Sequence, residues 1–162
     1  MRCLLQNLTR MLTLSAVLGG AAAAHAATTV IHAGTLLAVP GEKPLQEQTV
    51  VIRDGKVSEV LAGYREPGSI DAAASVVDLK QAFVMPGLMD MHVHLQGELG
   101  PDEDRQTLKE SSQLMQMRSL MYAQRTLQAG FTTLRDAGSS PQEMYALRDA
   151  INQGWIDGPR II

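Results

Sequence analysis

His92 and His94 stand one residue apart at the end of an apolar run, Phe83-Val84-Met85-Pro86-Gly87-Leu88-Met89-Asp90-Met91-His92-Val93-His94-Leu95. On a strand, residues i and i+2 share a face. The two imidazoles therefore point the same way, about 6–7 Å apart along the strand at ~3.3 Å rise per residue. Two imidazoles converging from one strand end can hold one metal ion through Zn–N bonds of about 2.0–2.1 Å. A bare His-x-His is a weak signal. Here it follows a Pro-Gly turn and an apolar strand, with Asp90 two positions before the first histidine.

Other residues near this pair carry two readings each. Asp90 falls on the same strand face as the histidines. It either orients the metal site as a supporting group or is a polar group satisfied by backbone. Asp136 closes a second strand-like stretch, Phe131-Thr132-Thr133-Leu134-Arg135-Asp136-Ala137-Gly138. It either faces the same mouth as a supporting group or serves the fold, and Arg135 beside it reads as structural. The sole cysteine, Cys3, lies in the N-terminal segment. The rest of the chain thus has no disulfide and no thiolate ligand, and a metal must be held by His, carboxylate or modified Lys.

The elements that must position these groups follow from the pattern. Thr29-Val30-Ile31 opens a strand that Gly34 to Val39 continues until Pro40-Gly41 ends it. Thr49–Arg53 and Lys56–Leu61 flank Asp54-Gly55, a hairpin signal. Ser75–Leu79 is a further strand, and His32 is an ordinary strand residue. Leu88–Leu95 opens a second region. Gln96 to Gln106 is a polar loop with Glu98, Asp102, Glu103 and Asp104, either a solvated run or a contributor to substrate selection. Thr107-Leu108-Lys109-Glu110 fits a capping box, with a helix following to about Gln128. Leu114, Met117, Leu120 and Met121 form its apolar stripe, read as packing rather than as a ligand surface. Gly130 ends that helix. Ser140-Pro141 starts another that stops at Gly154, and Gly158–Ile162 begins a third strand. The order β-α-β-α-β predicts parallel strands joined by crossover helices.

The string from Phe83 to Leu95 closely resembles the first barrel strand of the amidohydrolase superfamily of metal-dependent hydrolases. The resemblance extends over nearly all the chain after Ala27. Within the superfamily it looks most like the imidazolonepropionase-related branch, which includes zinc-dependent Xaa-Pro and Xaa-Arg dipeptidases. The resemblance implies an α/β protein in which 27–84 form the N-terminal part of a small β-sandwich. It makes 85–162 the first βαβαβ units of a truncated TIM (β/α)8 barrel. It also implies that His92 and His94 are ligands to zinc, as one or two divalent metal ions that acidify a bound water and polarise the scissile carbonyl. The superfamily's carbamylated Lys, further His and Asp match no position before Ile162. A catalytic zinc takes three protein ligands plus water, so this chain by itself is expected to be an inactive N-terminal portion. The implied substrate is a small amide or dipeptide. A superfamily deaminase remains open, as does an inactive fragment or a non-catalytic domain binding a metal or partner.

Composition is that of a globular chain. The 162 residues are 45% hydrophobic and 19% charged, which excludes a disordered chain. The net charge of −3 and the lack of a basic patch argue against nucleic acid as a partner. Arg2 and Arg10, the apolar Met11–Leu18 and Ala24-His25-Ala26 have the order of an export signal over residues 1–26. The apolar core is shorter than the ~20 residues of a spanning helix, so a stable membrane anchor is the weaker alternative. The oligomeric state is not set by the sequence. Export predicts that N-terminal sequencing of periplasmic or secreted material begins at Ala27. A soluble cytoplasmic product that retains Met1 contradicts it.

Overall fold

The computed structural model describes residues 28–98, 100–101 and 108–162. The predicted signal segment, the acidic residues Asp102, Glu103 and Asp104, and Thr107 of the predicted capping box lie outside these residues. Among the described residues, two sheets and three short-to-medium helices make a mixed α/β structure.

The first sheet is built on β1 (Thr28–Leu36), flanked by β2 (Leu45–Arg53) and β4 (Ser75–Val84), with β3 (Lys56–Ala62) outermost in the order β3-β2-β1-β4. β2 and β3 meet at Asp54-Gly55, where both residues have positive φ (51° and 71°). That is the conformation a two-residue turn needs to match strand twist. β4 then returns to lie parallel to β1, with Val30 opposite Val76 and Leu36 opposite Val84. Ala33, Leu36 and Val50 form the buried apolar cluster, joined by Ile31, Ile52 and Val84. His32 is a buried strand residue whose Nε2 lies 2.9 Å from the Arg65 carbonyl oxygen, its ring against Tyr64. A single-turn helix, α1 (Pro67–Ile70), sits in the connection to β4.

The β1–β4 pairing depends on a glycine. A Cβ on Gly34 would fall 2.1 Å from the Lys80 carbonyl oxygen, at the register shift between Ala33 and Thr35. Only a residue without a side chain allows this approach.

The second sheet has β5 (Leu88–Val93), β6 (Phe131–Asp136) and β7 (Arg160–Ile161) in that order, all parallel. The crossovers are α2 (Ser112–Gln128) and α3 (Pro141–Asn152). α2 starts later than the predicted capping box. Ser111 is its N-cap, and its hydroxyl accepts the Leu114 N–H. Its buried line matches the expected apolar stripe in part, with Leu120 packed against the core. Leu114 and Met117 are exposed, while Ser119 and Ala123 are fully buried. Small residues let the helix approach the sheet closely, and the Ser119 hydroxyl is satisfied by the Met115 carbonyl. Ala123, Leu134 of β6, Met144 and Leu147 of α3, Ile161 of β7 and Leu95 form one core cluster. α2 thus packs on β6 and α3 on β7. Among the described residues, no helix is long and apolar enough to cross a membrane.

Replacing Gly34 by Ala should destabilise the protein by about 1–3 kcal/mol, the usual range for forced overpacking. Gly68→Ala, where nothing lies within 4 Å of the added Cβ, should leave the melt unchanged or slightly raised. Thermal unfolding followed by circular dichroism checks both. Equal melting of Gly34→Ala and wild type would contradict the close approach.

Candidate metal centre

β5 carries its two histidines out of the ladder at its C-terminal end. The register opposite β6 shifts between Asp90, paired with Leu134, and Val93, paired with Asp136. Three steps on β5 match two on β6, so one extra residue bulges at Met91-His92. A bulge of this kind re-aims side chains. The Asp90 carboxylate accepts the His92 N–H at 3.0 Å, and the Arg135 guanidinium donates to the Met91 carbonyl at 3.2 Å. Asp90 therefore acts on the backbone that bears His92.

The outcome is a pair of facing imidazoles. Nε2 of His94 lies 3.4 Å from Nε2 of His92, with ring centroids 5.4 Å apart and planes inclined by 26°. Two Zn–N bonds of about 2.0–2.1 Å meeting at a tetrahedral angle place their nitrogens ~3.3–3.4 Å apart. The pair therefore fits two corners of a tetrahedral ion. Both rings are exposed, so an ion would meet them from the open side. Among the described residues, no group of three His, Cys, Asp or Glu side chains converges to hold a metal. Two such imidazoles would fill at most half of a tetrahedral shell.

Asp136, at the end of β6, is bound into the turn that follows it. Its carboxylate accepts the Leu95 N–H at 2.8 Å, the Ser139 hydroxyl at 2.7 Å, and the N–H groups of Ser139 and Gly138 at 2.8 and 3.2 Å. Burial pushes its pKa up. The hydrogen bonds from Leu95, Ser139 and Gly138 outweigh that and hold the carboxyl below the usual carboxylate range. It is an anion with its lone pairs committed to the chain. The turn carries further contacts that the sequence reading passed over. Gly138 lies against the His94 ring, and the Ser140 N–H donates to Gln96 Oε1 at 2.6 Å. An Asp-Ala-Gly-Ser-Ser run after a strand signals such a turn through the self-bonding Asp side chain. What the turn touches is not readable from that. Of the polar loop after His94, Glu98 accepts the Tyr122 hydroxyl at 2.8 Å, so that acid is tied to α2.

Residues 83–162 match the model of the amidohydrolase family. A solved Xaa-Pro dipeptidase with methionine bound in its active site superposes with a TM-score of 0.72 at 32% identity, over 84% of this chain and 32% of that one. The dihydroorotase of Anaeromyxobacter dehalogenans (strain 2CP-C) is 48% identical over 48 residues, which are 30% of this chain and 10% of that protein. The 5'-deoxyadenosine deaminase of Methanosarcina barkeri (strain Fusaro / DSM 804) is 44% identical over 55 residues, 34% of this chain and 12% of that protein. The chain thus spans about a third of the length of the solved relative and about a tenth of the curated ones. The matched segment contains the apolar strand, both histidines and the Asp136 turn, and through it the chain belongs to the amidohydrolase superfamily.

Proposed function

We propose that this chain is part of an exported metal-dependent hydrolase that cleaves the C–N bond of a small amide, with Xaa-Pro-type dipeptides as the first substrates to test. The observation that carries this is the 3.4 Å separation of the His92 and His94 Nε2 atoms, which suits two ligands of one ion. Imidazole nitrogens suit zinc, as they suit copper, iron and nickel. When bound, the ion supplies an acidified water and polarises a carbonyl. His92 and His94 would hold it through their Nε2 atoms. Asp90 keeps the bulged backbone of His92 in place, and Asp136 keeps the segment after His94 in place. The remaining ligands and the proton acceptor belong, on this reading, to residues outside those described.

The same reading makes the first sheet part of a small β-sandwich and β5–β7 the opening strands of a (β/α)8 barrel. Parallel order with helical crossovers supports it, as does the position of both histidines at the C-terminal end of a strand, the end where barrel active sites lie. The Arg2/Arg10, apolar and Ala-x-Ala order supports export. The 32% identity to the dipeptidase favours peptide substrates. A deaminase reading draws on the 44% identity to 5'-deoxyadenosine deaminase.

In the full-length protein, His92→Ala and His94→Ala should each lower zinc retention by at least ~10-fold and remove most turnover, because two-ligand remainders hold metal poorly. Elemental analysis after gel filtration and hydrolysis of Xaa-Pro dipeptides measure this. Wild-type zinc content and turnover in the double variant would refute the ligand assignment. Ammonia release from 5'-deoxyadenosine without peptide cleavage would favour the deaminase.

A further inference from the structure

We infer that the turn 136–140 is the positioning element of His94, with Gly138 setting the plane of its imidazole and Asp136 fixing the backbone that carries it. The inference rests on the reading of His92 and His94 as metal ligands. It concerns what holds one of them.

Each of the four residues from Val93 to Gln96 is met by a different residue of this turn. The Val93 carbonyl accepts the Ala137 N–H at 2.9 Å. The His94 ring lies on Gly138. The Leu95 N–H donates to Asp136 at 2.8 Å. Gln96 Oε1 accepts the Ser140 N–H at 2.6 Å. The match is needed because β5 ends at Val93. Beyond that point no strand ladder orients the chain, yet His94 is the residue that must be aimed. Regular pairing has already been interrupted by the bulge at Met91-His92. The turn takes over as the template where the sheet stops.

Gly138 is the specific part of the device. A Cβ there would lie 2.3 Å from His94 Cε1, 2.5 Å from Nδ1 and 3.2 Å from Nε2, and these are its three nearest neighbours. The ring therefore rests directly on the Gly138 backbone. Gly138 is not among the glycines with positive φ, so its backbone conformation does not demand glycine. The space taken by the imidazole does. Any side chain at 138 displaces the His94 ring and changes the distance from its Nε2 to that of His92. Packing against a backbone thus fixes a ring plane that a hydrogen bond from the second ring nitrogen commonly fixes in metal sites.

Copper(II) binding to the full chain tests this without reference to turnover. Electron paramagnetic resonance of the wild type should show two imidazole nitrogens, and His94→Ala should show one. Gly138→Ala should lose the second nitrogen and bind copper about 10–100-fold more weakly, the range for loss of an outer-shell partner, with its melting temperature close to wild type. Asp136→Ala should weaken binding likewise, and Asp136→Asn, which keeps one acceptor for Leu95, should restore part of it. Copper affinity within twofold of wild type and an unchanged two-nitrogen spectrum in Gly138→Ala would overturn the positioning role. A wild type that matches His94→Ala would instead remove the ligand reading on which it rests. Should Gly138→Ala fail to fold, nuclear Overhauser contacts in the metal-free wild type decide. A cross-peak from His94 Hε1 to Gly138 Hα supports the inference, and its absence overturns it.

Discussion

The carboxylate of Asp136 and the N–H of Leu95, 2.8 Å apart, join the end of one parallel strand to the turn that follows its neighbour. Leu95 is only 3% exposed, so this N–H has no ready access to water. Left unpaired it would cost roughly 1–3 kcal/mol, whereas a hydrogen bond to an ionised acceptor contributes about 1.5–3 kcal/mol. The bond therefore decides where the chain goes after β5. Leu95 turns inward to the core shared with Leu134, Met144 and Ile161, and His94, one residue earlier, is left on the outside with His92.

Both halves of the molecule use histidine, and the contrast shows what environment does to one residue type. His32 lies inside the first sheet, 7% exposed, with its Nε2 at the Arg65 carbonyl and its ring against Tyr64. Its Nε2 has a protein partner, and the ring is part of the packing. His92 and His94 are exposed, and their Nε2 atoms face each other. The lone pairs of such a pair are open to a cation. Glycines set the geometry at both places. Gly34 admits the Lys80 carbonyl beside β1, and Gly87 admits the Thr132 side chain at the entry to β5.

Much of this was legible in the sequence. Alternating β-branched runs and Asp54-Gly55 marked the strands and hairpin of the first sheet. The Gly130 stop, the Ser140-Pro141 start and the βα period marked the second. His-x-His after an apolar strand marked the candidate site. The parallel return of β4 beside β1 was not readable, because strand partners are chosen by tertiary packing rather than by local pattern. The packing face of α2 was legible only in part: Leu120 packs on the core as its spacing predicts, but the small residues Ser119 and Ala123 that permit contact carry no apolar signal of their own. The bulge at Met91-His92 escaped because it arises from pairing with β6, and a bulge without glycine has no strong local signature. Gly138 escaped for a related reason. Its demand for glycine comes from a ring 44 positions earlier in the chain and not from its own backbone.

The Nε2 atoms of His92 and His94 stand at the separation of two ligands on one ion. Zinc K-edge X-ray absorption of the zinc-loaded full-length protein reads that most directly. Two histidine imidazoles at about 2.0–2.1 Å belonging to His92 and His94 are expected, with the imidazole scattering reduced by one in His94→Ala. A zinc shell whose imidazole scattering is identical in wild type and in the His92→Ala/His94→Ala double variant would contradict the account.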